Sequence, residues 1–264
     1  MKVLQIASGS KGNSTYIESG NTKILIDCGL SKKRIVEAML NNGHNIEDLD
    51  AILITHEHSD HTSGIVPMFN ATDAKFYMTS GTFSGLNQKT RDTISFEGRI
   101  EFVTNQSIFS IGDFIIETIQ LFHDAIDPIG FIIRDKSSKL VYVTDTGYVH
   151  KSFLTKMKDS DMYIFESNHD PEILMNSNRP YETKMRILSD HGHLSNEDSA
   201  FIISELIGPN TKYILLAHIS EECNIPSLAL KTYEHVFKTK NKTFENAKLI
   251  CCSQTAQKEI TIWK

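Results

Sequence analysis

Residues Thr55-His56-Glu57-His58-Ser59-Asp60-His61 place three histidines and an aspartate within six positions, directly behind the apolar run Ala51–Ile54. A single histidine behind a strand is most often a turn residue; this density after a buried strand reads as a metal cradle. In an extended segment, His56 and His58 stand two apart and can chelate one ion, while Asp60 and His61 point at a second. Imidazole and carboxylate suit zinc, iron or manganese, and soft thiolate ligands are absent from the stretch. The cradle demands a scaffold that presents the end of a buried strand.

Four ligands do not complete a two-metal site, so other parts of the chain must supply partners. Four further apolar runs end in such residues: Lys23–Ile26 at Asp27, Ile115–Phe122 at His123, Leu140–Thr144 at Asp145 and Tyr213–Ala217 at His218. Each alone is an ordinary turn residue, but together with the histidine cluster they form one constellation.

The rest of the chain reads as α/β. Strands are predicted at Lys2–Ala7, Ser14–Glu18, Thr22–Ile26, Ala51–Ile54, Lys75–Met78, Ile100–Val103, Ser107–Ile111, Phe114–Leu121, Gly130–Arg134 and Leu140–Val143, by their Val/Ile/Leu/Tyr/Phe content. Helices are predicted at Ser31–Asn41, Gly64–Asn70, Gly81–Lys89, Val149–Met157, Tyr181–Ser189, Ser195–Ile207 and Ser227–Lys238, with Ser195 as an N-cap. Hairpins and strand–helix units both occur, which implies two mixed sheets packed together with helices outside. At 264 residues, without repeat or linker, the chain 1–264 is expected to form one domain.

The four cysteines (Cys28, Cys223, Cys251, Cys252) have neither zinc-ribbon nor disulfide-framework spacing. Cys251 and Cys252 alternate along an expected strand, so at least one is expected to be buried. No apolar run reaches signal-peptide or membrane-spanning form, so no membrane association is expected and a cytoplasmic location is. A net charge of −6 gives no overall electrostatic support for nucleic-acid binding, although a local basic face is compatible with it. Lys32-Lys33-Arg34 reads first as a solvated helix face, and the methionines as core filling.

The segment HEHSDH, with Asp27, His123, Asp145 and His218 in order, resembles the HxHxDH motif set of the metallo-β-lactamase superfamily from Leu25 to Ser220. The resemblance implies a four-layer αββα sandwich with two mixed β-sheets. It implies that His56, His58 and His123 hold one metal, that Asp60, His61 and His218 hold the second, and that Asp145 bridges them. Asp27 would orient a histidine rather than bind metal. The cofactors would be two divalent ions, zinc or manganese, with iron also compatible, acting through a bridging hydroxide.

Closer matches narrow this. SGSKGNSTYI, FHDAIDPIGF, YVTDTGY, FESNHD and HGHLSNED together resemble the YycJ/WalJ family of 5′-to-3′ DNA exonucleases linked to mismatch repair. Two of these segments also resemble the β-CASP nucleases, which implies that His193 contacts the scissile phosphate and Glu166 supports it. Only 72 residues separate Asp145 from His218, too few for a β-CASP insert, so RNA specificity does not carry over. His193, Glu166 and Asp60 are thus the expected catalytic residues; Ser10, Asn13 and Asn168 are expected on the substrate side. His191 is expected to be structural, and His169 is left open between substrate entrance and turn. The expected partner is DNA. The alternatives are a small cyclic phosphodiester, as in the similar PhnP family, a lactonase or thioesterase, and a non-catalytic scaffold. Retention of all seven ligands argues against the last.

Overall fold

The computed structural model describes residues 1–95, 98–244, 246–255 and 259–262. The first half contains β1 (Lys2–Ala7), β2 (Ser14–Ser19), β3 (Thr22–Ile26), α1 (Lys32–Leu40), β4 (Ala51–Leu53), α2 (Ser59–Thr62), α3 (Ile65–Phe69), β5 (Lys75–Thr79), α4 (Ser80–Gly85), α5 (Gln88–Ile94) and β6 (Ile100–Val103). The second half contains β7 (Ile108–Ile111), β8 (Phe114–Gln120), β9 (Ile129–Arg134), β10 (Lys139–Val143), α6 (Lys151–Met157), β11 (Met162–Glu166), α7 (Pro171–Asn176), α8 (Tyr181–Leu188), α9 (Asn196–Leu206), β12 (Tyr213–Ala217), α10 (Pro226–Thr239), β13 (Lys248–Cys251) and β14 (Ile260–Thr261).

Side-chain alternation along the strands builds three apolar layers. In β10, Leu140 and Tyr142 face the other sheet while Val141 and Val143 face helices. The central layer joins Ile24, Ile26 and Leu53 of one sheet to Phe131, Tyr142 and Ile164 of the other. A second layer packs Leu25, Ile52 and Phe76 under α1 and α3 through Ile35, Met39, Met68 and Phe69. A third packs Val143, Phe165 and Leu216 under α6, α9 and α10 through Phe153, Ile203 and Tyr233. Helix, sheet, sheet, helix is the resulting order, and the predicted αββα sandwich is what forms.

The sheets run β14-β1-β2-β3-β4-β5-β6 and β13-β12-β11-β10-β9-β8-β7. Each passes from antiparallel pairs to a parallel set, β3 through β6 in one and β10 through β13 in the other. The halves share connectivity although their residues show no repeat. Corresponding strands therefore end at one seam: Asp27 follows β3 as Asp145 follows β10, and the histidine motif follows β4 as Glu166 ends β11. Hydrogen bonds from backbone N–H groups stitch the seam, Ile129 donating to the Thr55 carbonyl (3.0 Å) and His218 to the Ser8 side-chain Oγ (2.8 Å).

Four details differ from the sequence-based expectation or refine it. Gly81–Lys89 is two helices, because α4, begun at the Thr79 cap, closes at Leu86, and Asn87 Oδ1 accepts Thr90 N–H and starts α5. Met162–Glu166, given no strand from sequence, is the fully buried β11. Met175 and Met185 are exposed rather than core. Lys32–Arg34 is a solvated face, with Arg34 hydrogen-bonded to Gln254 O. Cys252 is buried as expected, and no helix among the described residues is long and apolar enough to cross a membrane.

Gly29 shows how closely the loops are packed. Its N–H donates to Asn13 O, Asn13 N–H donates to Asp60 O, and a Cβ on Gly29 would lie 1.6 Å from that Asp60 oxygen. Gly29→Ala is expected to cost roughly 1–3 kcal/mol of stability by overpacking and to displace Asp60. Thermal unfolding with and without added metal checks this, and an unchanged midpoint in both would show that the contact does not hold the loop.

Candidate metal centre

Three residues of the seam sit in a backbone conformation that L residues rarely adopt: Asp27 (φ 58), Asp145 (φ 56) and His218 (φ 53). All three lie immediately beyond a strand or one residue after it. A left-handed residue there turns the chain sharply, and such strain persists only where the surroundings over-determine it. Here it aims the side chains into the seam.

Two clusters result. Ligand atoms of His56, His58 and His123 lie within 4.8 Å of one another, as do those of Asp60, His61, Asp145 and His218. Asp145 Oδ2 is 3.1 Å from His61 Nε2, and its Oδ1 is 3.3 Å from His218 Nε2. Ring contacts join the clusters, His56 lying 4.1 Å from His61 between centroids.

The outward ring nitrogens are pinned to protein oxygen. His61 Nδ1–H donates to Asp27 Oδ2 (2.8 Å), and His123 Nδ1–H donates to Gly192 O (3.0 Å). Thr55 N–H and Oγ1–H donate to Asp27, so Thr55 Oγ1 accepts from His56 Nδ1 (3.0 Å). His218 Nδ1–H donates to Glu166 Oε1 (3.1 Å). In each case Nε2 is left as the inward donor atom, and the buried Nε2 of His56 has no hydrogen-bond partner. Oriented imidazoles with an orphaned inward nitrogen fit a metal, since ligating histidines donate their other N–H in this manner. The donor set suits divalent cations.

A third grouping joins Asp145, Glu166, His193 and His218. Glu166 is fully buried and already accepts four N–H groups: Thr146 N (2.8 Å) and Leu194 N (3.3 Å) on Oε2, His193 Nδ1 (2.7 Å) and His218 Nδ1 on Oε1. With its lone pairs occupied, it is a brace rather than a ligand.

The electrostatics follow from the burial of this many charges. Burial opposes a proton on His61, but Asp27 and Asp145 on either side outweigh it and raise its pKa well above the usual value. Burial likewise opposes a charge on His218, and Asp145, Asp60 and Glu166 raise it to about 10. Burial pushes Glu166 up, yet His193 and His218 hold it down at about 2. His56, buried among other histidines, is held well below the usual value and stays neutral. The metal-free chain thus balances its carboxylates with protons that a cation must displace.

The clusters open on a cavity of about 240 Å³ lined by His58, Asp60, His123, Asp145, His193 and His218, by Arg179, Arg186 and Ile187, and by Ser10, Asn168 and Ser220.

Residues 22–219 match the family described as a Beta-lactamase superfamily domain. Exodeoxyribonuclease WalJ of Streptococcus pneumoniae is 39% identical over 233 residues, 86% of this chain and 84% of the relative. Exodeoxyribonuclease YycJ of Bacillus anthracis is 36% identical over 236 residues, 89% and 88% of the two chains. The chain belongs to the YycJ/WalJ family of the metallo-β-lactamase superfamily. It shares its fold with the metallo-β-lactamase fold protein YhfI from Bacillus subtilis, with a TM-score of 0.70, 20% identity and 98% of both chains covered. As a YycJ/WalJ family member it is a metal-dependent hydrolase.

The structure brings all seven metal-ligand candidates together and places Asp27 behind His61. His193 faces the cavity beside Glu166. Asn168 reaches the cavity wall with its amide on His218, Nδ2 donating to the His218 carbonyl oxygen (2.8 Å). Ser10 lines the rim. Asn13, expected on the substrate side, is buried: its Oδ1 accepts Gly9 N–H (2.8 Å) and its Nδ2 lies 2.9 Å from His61 Nε2. It ties the loop to the metal motif and is not among the cavity-lining residues. His191 is exposed near Phe122, and Asp170 caps α7 while His169 is buried. Sequence reasoning did not single out Arg179, Arg186 or Asp124, whose Oδ1 lies 3.2 Å from His123 Nε2. Asp124 had a signal in its adjacency to His123; the arginines had none.

Two outcomes follow for this family member. Asp27→Ala should weaken metal binding about 10- to 100-fold at the Asp60 cluster and less at the His56 cluster, which Asp27 reaches only through Thr55; calorimetric titration distinguishes the two. His218 carries a raised pKa in the metal-free chain, so its stabilising proton is fully present below the unfolded histidine value near 6.5 and is lost as pH rises through about 10. The melting midpoint of chelated protein should therefore fall across that window, and a midpoint that rises instead would contradict the charge balance.

Proposed function

We propose that the chain is a two-metal phosphodiesterase that degrades DNA as a 5′-to-3′ exonuclease. The observation that carries the DNA reading is its 36–39% identity, over most of both chains, to two exodeoxyribonucleases. The site geometry supports it. His56, His58 and His123 would hold one cation, Asp60, His61 and His218 the other, and Asp145 both, with zinc or manganese as the metal and iron also compatible. When bound, such a pair supplies Lewis acidity and a nucleophile at neutral pH.

The chain's own residues do the rest. Glu166 holds His193 by Nδ1 and leaves Nε2 to the cavity, where it contacts the scissile phosphate or protonates the leaving oxygen. The same carboxylate fixes His218 and the Thr146 amide, so Glu166 positions ligand, bridge and acid together. Asn168 secures His218 at the wall that substrate meets, and Ser10 stands at the rim. In this reading residues 1–264 work as one metallo-β-lactamase domain without a β-CASP insert, in the cytoplasm.

The test is release of nucleotides from double-stranded DNA labelled at its 5′ end, with Mn²⁺ or Zn²⁺ added. Wild type should digest and Asp145→Ala should not. Turnover of bis(p-nitrophenyl) phosphate without DNA digestion would replace DNA by a small phosphodiester. His193→Ala should lose on the order of 10²- to 10⁴-fold in rate with its metal content unchanged; full rate with full metal loading would remove His193 from catalysis.

A further inference from the structure

Among the described residues, three cations stand at or beside the cavity rim, and each is docked on an acidic side chain. Arg186 of α8 pairs with Asp124, the residue after His123. Arg179, just ahead of α8, places Nε and Nη2 both 2.9 Å from Glu222 Oε2. Lys11, next to Ser10, pairs with Glu221. Arg186 thus stands beside the His56–His58–His123 cluster, and Arg179 stands near the loop that follows His218. The two arginines line the metal cavity itself.

These pairs are solvent-accessible, with side chains 54% and 31% exposed for Arg186 and Asp124 and 30% and 68% for Arg179 and Glu222. Accessible pairs of this kind contribute little to stability and exchange readily. Neither is a two-oxygen fork: Arg179 directs two N–H groups at a single carboxylate oxygen, and Arg186 meets Asp124 through Nη1. Guanidinium donors therefore remain, and a phosphate offers several oxygens where each carboxylate presently offers one. In a chain of net charge −6, these cations are also the local positive potential that a polyanion would meet at this mouth.

We propose that Arg179 and Arg186 form a two-point clamp for the phosphates on either side of the scissile one, with Glu222 and Asp124 as their partners when no strand is bound. On binding, each guanidinium exchanges its carboxylate for a backbone phosphate. No covalent step is involved; the clamp sets which substrates bind, favouring a polynucleotide over an isolated diester. The proposal rests on the DNA reading above and adds the residues that select a strand.

The test is fluorescence anisotropy of a labelled, phosphorothioate-linked single-stranded oligonucleotide on the metal-loaded protein, comparing wild type with Arg179→Ala, Arg186→Ala, the double variant and Arg186→Lys. Each alanine variant should weaken binding about ten-fold and reduce the salt slope of log K by about one for each phosphate no longer neutralised, over about 50–200 mM salt. Arg186→Lys should recover part of the affinity. In turnover, KM for the oligonucleotide should rise far more than kcat falls. Circular dichroism and metal content identify any variant that has misfolded, and neutralising the carboxylate partner (Asp124→Asn, Glu222→Gln) should then strengthen binding through an intact arginine. Wild-type-like affinity and salt slope in a folded double variant overturn the clamp alone. A wild type that binds neither the single strand nor its duplex overturns the clamp and the DNA reading together.

Discussion

Asp145 is a fully enclosed carboxylate with a histidine ring nitrogen on each side, His61 at 3.1 Å and His218 at 3.3 Å. An unpaired charge at that depth would be strongly destabilising, so everything near it is arranged as compensation. Protons on His61 and His218 provide it without metal, and bound cations would replace them. Because one of these histidines comes from the first sheet's motif and the other from the second sheet's β12, the carboxylate also locks the two halves in register at the seam.

The braces behind that centre are unequal in kind. Asp27 secures His61 and Thr55 in the first half; Glu166 secures His218, His193 and Thr146 in the second. Asp27 fixes His61 directly and His56 through Thr55, whereas Glu166 joins His218 to His193, which lines the cavity. The two occupy neighbouring places in equivalent parts of the sheets, but Glu166 alone holds a cavity-lining residue, His193, outside the two ligand clusters. The shared connectivity accounts for the shared seam, and both halves line the cavity at it.

The candidate metal residues are legible in the sequence because their signal is local. HEHSDH needs only its own spacing, and His123, Asp145 and His218 each end a conspicuous apolar run. The layers are legible for the same reason, alternation being a property of neighbouring residues. The sequence misleads where a tertiary contact decides the outcome. Asn13 sits in a Gly/Ser loop of the kind that can face a phosphate, but its amide is used up on Gly9 and the metal motif. Arg179 and Arg186 look like ordinary surface charges, and only the packing of α8 across the cavity gives them a place. The break at Asn87 is hidden because a side-chain cap overrides an otherwise continuous helical pattern.

The proposed two-metal centre would have Asp145 shared by a pair of cations, and anomalous diffraction at the absorption edge of the bound metal measures that directly. Crystals of the metal-loaded chain should show two peaks, one among His56, His58 and His123 and one among Asp60, His61 and His218, with Asp145 between them. A single peak, or one seated on Glu166 and His193, would contradict it.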